Sequence, residues 1–592
     1  MITRSLGLSI VSLFFLVTLP TASATEINLP SFQTVELANG MKLYVAEDHS
    51  IPIVTLNVVI PYGHEYDPSE KKGLAYITAQ ACGNGIPGMD GTQIWLELQR
   101  LGASTAGWAT YDHTFFSMTS LSSNWVAALD MLARGIRTPT FPKKDISRIR
   151  SQWISGKREQ EEQPASLAHT HLYDLLYEGP LDWPWTVEGY RSISRDDIVD
   201  FHRRYYLPNR AILVTIGHFN AKEAIEVLRK AFEDWPRGQE PPQATPSRLR
   251  PEGPRVRLVH KPDLTQATIR CAQPGLSLVD PDRFAFRVAN TGLGGHFCSR
   301  LMTKLRSEGG KTYDASSWNA SQLHYGQFTI GTFTRNAELG AAIDTIRSVV
   351  EEYERSGMTQ DEIETARSVL LGSFLIDLET PQQLAGGVAN ALSSGFSLED
   401  YRAAPSRYEA VTLDEANQAV ANRISPDGMV WVIVADKDKI GSGLKSLGDF
   451  ETVYYKEPLN PGNFLTRTRL GLGVTWNAAA RGVRASLLHR WIDLSGVYGF
   501  ARHSKRWDYD AAGQVTLDLH RSNSEYSTGS IYVGATGTFA ENLRGASPHV
   551  GFRLFPYGLG GHFSFSAELG VSFWEKGDLP QFHWSVGFDR FF

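Results

Sequence analysis

The sequence predicts an α+β protein: two copies of one α/β sandwich domain, followed by a third domain that is all β and antiparallel. Three observations predict this. A unit of capped helix, proline turn and apolar strand occurs twice, roughly 218 residues apart. A connector rich in Pro, Gln and Arg, from Pro236 to Pro254, separates the two copies. Beyond Pro458-Leu459-Asn460-Pro461-Gly462 the helical period stops, and period-two alternation runs to the end. At 592 residues the chain is too long for one hydrophobic core. The expected boundaries are 1–24 for a leader, 25–240 and 241–460 for the two copies, and 461–592 for the β domain.

The leader comes first. Arg4 precedes an apolar run from Leu6 to Leu19, and Ala22-Ser23-Ala24 follows it, which is the layout of a secretory signal with its small-residue cleavage site. The run is too short for a spanning helix, so the chain is expected to be exported and to begin near Thr25.

In the first copy, Ser194-Arg195-Asp196-Asp197-Ile198 opens a helix with a hydroxyl cap and acids in the first turn. That helix runs into the turn at Pro208 and the strand Ala211 to Val214. In the second copy, Thr412-Leu413-Asp414-Glu415-Ala416 does the same ahead of Pro426 and the strand Met429 to Val432. A second pair agrees: Phe115 to Leu121 and Phe328 to Phe333 read as strands, each before an Ala-rich amphipathic helix, Val126 to Ile136 and Leu339 to Val350.

In the last segment Phe563, Phe565, Ala567, Leu569, Val571 and Phe573 alternate with polar or small residues, and so do Phe582, Trp584, Val586 and Phe588. Similar runs surround Leu470, Val515, Ile531 and Val550. About eight strands of roughly ten residues match a small outer-membrane barrel. The export signal, aromatics near strand ends and terminal Phe592 favour the membrane, while Arg590 on the apolar face opposes it. A soluble sandwich or lipocalin-like barrel would alternate in the same way.

Net charge of −6 gives no reason to expect nucleic acid or an acidic partner. Cys82, Cys271 and Cys298 are too few and too scattered for a disulfide framework and read as three buried thiols, with a Cys271–Cys298 bridge as the alternative. His169 and His171 fall on different sides of a helix and have no partner at metal spacing. There is no His-Glu-x-x-His, no Gly-x-Ser-x-Gly elbow and no P-loop. The repeated Gly-Leu-Gly-Gly-His-Phe at 292–297 and 558–563 lies in regions of unlike pattern and reads as coincidence.

Gly73-Leu74-Ala75-Tyr76-Ile77-Thr78-Ala79-Gln80 is similar to the zinc-binding helix of the pitrilysin/insulinase (inverzincin) metallopeptidases, whose motif is Gly-x-Ala-His-x-x-Glu-His. Leu37 to Leu43, Leu101-Gly102-Ala103 and Ala231 to Pro236 support the resemblance, which covers roughly residues 26–455. It implies the duplicated sandwich fold. Where the family has two zinc-binding His and the Glu that activates water, this chain has Tyr76, Gln80 and Ala79, and none of these is a usual zinc ligand or general base. The family's third ligand is a Glu on a later helix. Here that helix, Ile149 to Lys157, carries no carboxylate, and Glu159 and Glu161 read as solvated charges in a charged run.

A second family element is retained. Gly294 to Leu301 followed by Leu305-Arg306-Ser307-Glu308-Gly309-Gly310-Lys311-Thr312-Tyr313 resembles the glycine-rich loop and Arg-x-Glu-x-Gly-x-x-Tyr element that holds the substrate backbone near a metal bound by the other half. The resemblance assigns substrate contact to Arg306 and Tyr313. It departs at Lys311-Thr312, where relatives carry apolar residues. The implied reading is a non-catalytic pseudopeptidase subunit with no cofactor of its own. It would pair with a zinc-bearing homologous peptidase subunit, contact the peptide substrate, and be anchored at the periplasmic side of the outer membrane. The alternative is an exported peptide-binding scaffold without a peptidase partner.

Overall fold

The computed structural model describes residues 29–178, 185–244, 248–250 and 255–455, and the strand segments between 469 and 591. The expected leader at 1–24, the hinge Pro458 to Gly462, residues 558–562 of the repeated hexapeptide and the terminal Phe592 lie outside the described residues.

The first sheet contains β1 (Phe32–Glu36), β2 (Lys42–Glu47), β3 (Ile53–Ile60), β4 (Ala103–Ala109), β5 (Thr114–Leu121) and β6 (Ile212–Gly217), in the order β1-β2-β6-β3-β5-β4. The second contains β7 (Val256–His260), β8 (Gln266–Gly275), β9 (Ala315–Ser321), β10 (Gly326–Arg335), β11 (Val430–Ala435) and β12 (Glu451–Tyr454), in the order β12-β7-β11-β8-β10-β9. The duplication is explicit in the pairing. β6 lies parallel to β2 and antiparallel to β3, and β11 lies parallel to β7 and antiparallel to β8. Both inserted strands are buried along nearly their whole length, which is why Ile-Leu-Val-Thr-Ile and Val-Trp-Val-Ile-Val do not alternate.

The helices that matter here are α1 (Leu74–Cys82), α2 (Gly91–Leu101), α3 (Trp125–Arg137), α4 (Lys143–Glu162), α5 (Pro164–Leu176), α6 (Arg195–Tyr205), α7 (Leu339–Ser356), α8 (Gln360–Ile376), α9 (Pro381–Ser393) and α10 (Leu413–Arg423). Helices α6 and α10, the repeated pair, each begin with a reciprocal capping box, Ser194 with Asp197 and Thr412 with Glu415. Each box satisfies backbone N–H groups that a helix start otherwise leaves open.

The two copies exchange helices. From the first copy, α5 packs on β8 and β11, burying Leu172, Leu175 and Leu176 against Val430, Val432 and Val434. From the second, α9 packs on β3 and β6, burying Leu384 and Val388 against Val59, Val214 and Ile216. The buried His113 ring links Asp112 at 2.8 Å to the carbonyl of Ser393 at 3.0 Å. The two largest cores lie on either side of residue 240, and two smaller ones are shared across it.

Three local expectations are corrected. Cys82 and Cys271 are buried, but Cys298 is exposed, because it lies on a surface loop; all three are free thiols. In the charged run at the end of α4, Lys157 and Arg158 are buried, and Glu161 pairs with Lys157 at 3.7 Å with its carboxyl raised by burial. Glu159 is exposed, as expected, but the residues beside it lie where α4 packs against α5 and are not a solvated face. Within the connector, Arg248–Leu249 pairs antiparallel with Tyr177–Glu178.

The remaining strands are β13 (Arg469–Asn477), β14 (Ala480–His489), β15 (Ile492–His503), β16 (Arg506–Asn523), β17 (Ser527–Ala540), β18 (Leu543–Pro556), β19 (Phe563–Trp574) and β20 (Gln581–Phe591). Each pairs antiparallel with the next, and β20 pairs back with β13, so the ladder closes on itself. Val550 and Phe552, two apart on β18, are both about half exposed.

Candidate functional site

Helix α1 is held in place at its N-terminus. The Asp67 carboxylate accepts from the backbone N–H of Gly73 at 2.7 Å and of Ala75 at 2.8 Å, capping the helix from outside. Burial pushes this carboxyl up, while the Lys72 ammonium and the helix N–H groups pull it down. Gly73 has φ of 96°, and a Cβ there would meet the Tyr190 ring at 2.3 Å, so only glycine permits this approach.

The three positions that replace the metal-binding residues are occupied in a consistent way. Tyr76 packs edge-on against Trp153 at 4.5 Å and near Trp185 at 5.9 Å. The Gln80 carboxamide oxygen accepts the Trp153 indole N–H at 2.8 Å. Ala79 is buried, and its carbonyl lies so close to β4 that a Cβ on Gly107 would be 2.6 Å from it. Asn84 donates to the Gln80 carbonyl and accepts from Arg148 of α4. An indole and amide network thus joins α1 to α4, the two helices on which the resemblance implies metal ligands. A phenol and a carboxamide set against indoles, with a buried methyl between them in the motif, offer no set of donors for zinc. His64, the nearest imidazole in this aromatic cluster, is 5.2 Å from Trp185; burial and Lys72 pull its pKa down to about 4.

Between α1, α2, α4 and the edge strand β4 lies a cleft of about 480 Å³. Its floor is apolar, with Leu98, Phe116, Met131 and Ile136; its rim carries Gln80, Gln152, Arg148 and Trp95.

Arg306 and Tyr313 stand on the second copy. They flank a turn between a loop rich in glycine and β9, and both ends of that loop carry π-turns, at Thr291–Gly295 and Thr303–Ser307. Single π-turns inside helices recur at functional sites. Gly294 lets the loop press onto β9, where a Cβ would sit 2.4 Å from the Ser317 hydroxyl. Arg300 fixes the loop by a bidentate pair with Glu362 at 2.5 and 2.7 Å, and it stacks on Tyr353. Arg306 lies against the Tyr313 ring at 4.5 Å. The departure at Thr312 has a local role: the Thr332 hydroxyl bonds to its hydroxyl at 3.0 Å, which steadies the turn ahead of Tyr313. Tyr313 is 71% exposed. The structure therefore brings Arg306 and Tyr313 together and leaves them on a different copy from Tyr76 and Gln80.

The other candidates have ordinary roles. The His171 ring accepts from buried Arg257, and burial with that cation draws its pKa down to about 4. Among the described residues, His260, Asp436 and Asp438 form a cluster with the spacing of metal ligands, but the Asp436 carboxylate already binds Lys439 at 2.9 Å and two backbone N–H groups. Sequence reasoning missed Trp153, Trp185 and Phe297. Phe297 lies in the repeated hexapeptide that read as coincidence.

Residues 42–183 match the insulinase family (peptidase family M16), and residues 192–370 match the peptidase M16 inactive domain. Across that span the chain belongs to peptidase family M16. It is 23% identical over 345 residues to an uncharacterized zinc protease, YmxG, of Bacillus subtilis, covering 58% of this chain and 83% of that protein. It is also 23% identical over 382 residues to the human mitochondrial-processing peptidase subunit beta, covering 61% and 76%, and 24% identical over 278 residues to bovine cytochrome b-c1 complex subunit 1, covering 46% and 57%. Among solved structures, a peptidase M16 inactive domain from Pseudomonas fluorescens superposes with a TM-score of 0.64 at 24% identity over 68% of this chain and 98% of that one. That likeness concerns the fold.

Proposed function

We propose that this chain is the non-catalytic subunit of an exported zinc metallopeptidase. It pairs with a zinc-bearing homologue, lends Arg306 and Tyr313 to that partner's site, and holds the pair at the periplasmic face of the outer membrane through residues 461–592. The observation that carries the reading is the contrast between the copies. The zinc helix is filled with Tyr76, Trp153 and Gln80, whereas Arg306 and Tyr313 stay at the surface of the other copy. An Arg and a phenol in that setting can donate to a peptide carbonyl and steady the charge that develops on it. Two of the relatives are named as subunits of larger assemblies, which supports a partner.

Membrane anchoring is supported by register. Val550 pairs with Val533 and Leu569, and Phe552 with Ile531 and Ala567, so the face on which Val550 and Phe552 are exposed carries apolar positions on three neighbouring strands. The positions that alternate with these along the sequence are Ser566, Glu568 and His549. An apolar outer band over a polar interior is the pattern of a small transmembrane barrel.

A second reading has its own support. The apolar-floored cleft beside edge strand β4 would accept an extended peptide that adds to the sheet, as a scaffold requires. The test is reconstitution with a homologue from the same genome that carries His-x-x-Glu-His. Arg306→Ala and Tyr313→Phe are each expected to cost about 2 to 4 kcal/mol of transition-state stabilisation with assembly unchanged. Unaltered turnover in both variants would favour the scaffold.

A further inference from the structure

We propose that Phe297 is a positioning residue for the substrate-contacting pair: it fixes the Arg306 guanidinium so that its N–H rim faces the peptide. The inference rests on the subunit reading above. A guanidinium is weakly hydrated on its flat faces and donates along its rim, so aromatic rings against it restrict its orientation while leaving its donors free. Arg306 has two such neighbours. The Phe297 ring centre is 4.7 Å from its central carbon and the Tyr313 ring centre is 4.5 Å.

Core packing does not explain the type of residue at 297, since Phe297 is 63% exposed. Local ion pairing does not explain Arg306 either. Glu308, two residues on, is engaged by Lys304 at 2.8 Å, and Glu362 is engaged by Arg300. Among the described residues no carboxylate pairs with Arg306. A cation left uncompensated between two exposed rings has the composition of a binding hot spot. Its planar fork suits a peptide carbonyl or carboxylate. The backbone that carries Phe297 is itself constrained, by the seating of Gly294 on β9 and by the tie from Arg300 to Glu362. The ring is therefore delivered to Arg306 from a fixed loop.

The test has two arms. In the first, the full-length chain is labelled with ¹⁵N-arginine and the Arg306 side-chain Nε–H signal is assigned by its loss in Arg306→Lys. The signal is expected to be shifted by ring currents, to move toward that of solvent-exposed arginines in Phe297→Leu, and to stay shifted in Phe297→Trp. A signal already at the solvent-exposed position, or one that Phe297→Leu leaves in place, overturns the proposal. In the second arm, the complex with the zinc-bearing homologue is assayed on a peptide it cleaves. Phe297→Leu is expected to lower kcat/KM about three- to fivefold, the worth of one exposed cation–π contact, and Phe297→Trp to restore it. If Arg306→Ala lowers turnover while Phe297→Leu does not, the role of Phe297 fails and the subunit reading stands. If Arg306→Ala has no effect, both fail.

Discussion

Gln80 and Trp153 lie 73 residues apart, and their 2.8 Å hydrogen bond joins the degenerate motif on α1 to α4. The loss of ligands was legible in the sequence because Tyr76, Ala79 and Gln80 are consecutive members of one motif. The replacement was not, since which indole meets which amide depends on how α1 and α4 pack. The same limit hid Phe297, whose meaning comes only from the proximity of Arg306. Arg306 and Tyr313 were legible because their spacing survives in a single stretch. One prediction belongs at this scale. Writing the motif back, with Tyr76→His, Ala79→Glu and Gln80→His together, should give no stoichiometric zinc by elemental analysis, because the Ile149 to Lys157 stretch of α4 carries no carboxylate and the Trp153 ring packs against residue 76. One tightly held zinc per chain in that variant would refute the account of the motif.

At the scale of elements, the capped helices and central strands were readable from hydroxyl caps, acidic first turns and apolar runs, and the pairing of β2 with β6 and β7 with β11 bears out the internal repeat. The helix exchange was not readable: amphipathic α5 and α9 specify an apolar face, not which sheet receives it. Packing at this level also sets the response to pH. His64, His171 and His202 are each drawn down to about 4, chiefly by burial. An unfolded histidine takes its proton near 6.5. Their contribution to stability is therefore complete above about pH 6.5 and is lost as pH falls toward 4, at about 3 kcal/mol each. Glu65 acts in the opposite sense, since burial and Asp112 push it up to about 7, so its contribution is present below its unfolded value of 4.5 and fades as pH rises toward 7. Asp67, pushed up by burial, acts in the same sense as Glu65. With three groups against two, the urea midpoint of the α+β part should fall between pH 6.5 and 4.5, and His202→Gln should shift the balance toward the carboxyls and flatten that slope. A midpoint that rises on acidification would contradict these burials.

For the whole molecule, the reciprocal seating of α5 and α9 ties the two copies together through two shared cores, and the closed ladder that follows is a different kind of structure. If its apolar face meets lipid, Leu569→Arg, in register with exposed Val550, should cost about 2 to 4 kcal/mol near the bilayer midplane. Ser566→Arg on the other face should be tolerated, and heat-modifiable gel mobility of membrane fractions would report both. Release of the protein by high salt alone would mean a soluble β domain. The central claim, that this chain completes a site it cannot form by itself, is tested most directly by titrating it into a zinc-bearing homologue from the same genome and following cleavage of a peptide. The account predicts no cleavage and no bound zinc for this chain alone, and activity that rises to a plateau at one chain per homologue and is abolished by Arg306→Ala with Tyr313→Phe. Cleavage by the isolated chain with one zinc bound, or a homologue whose full activity ignores this chain, would contradict it.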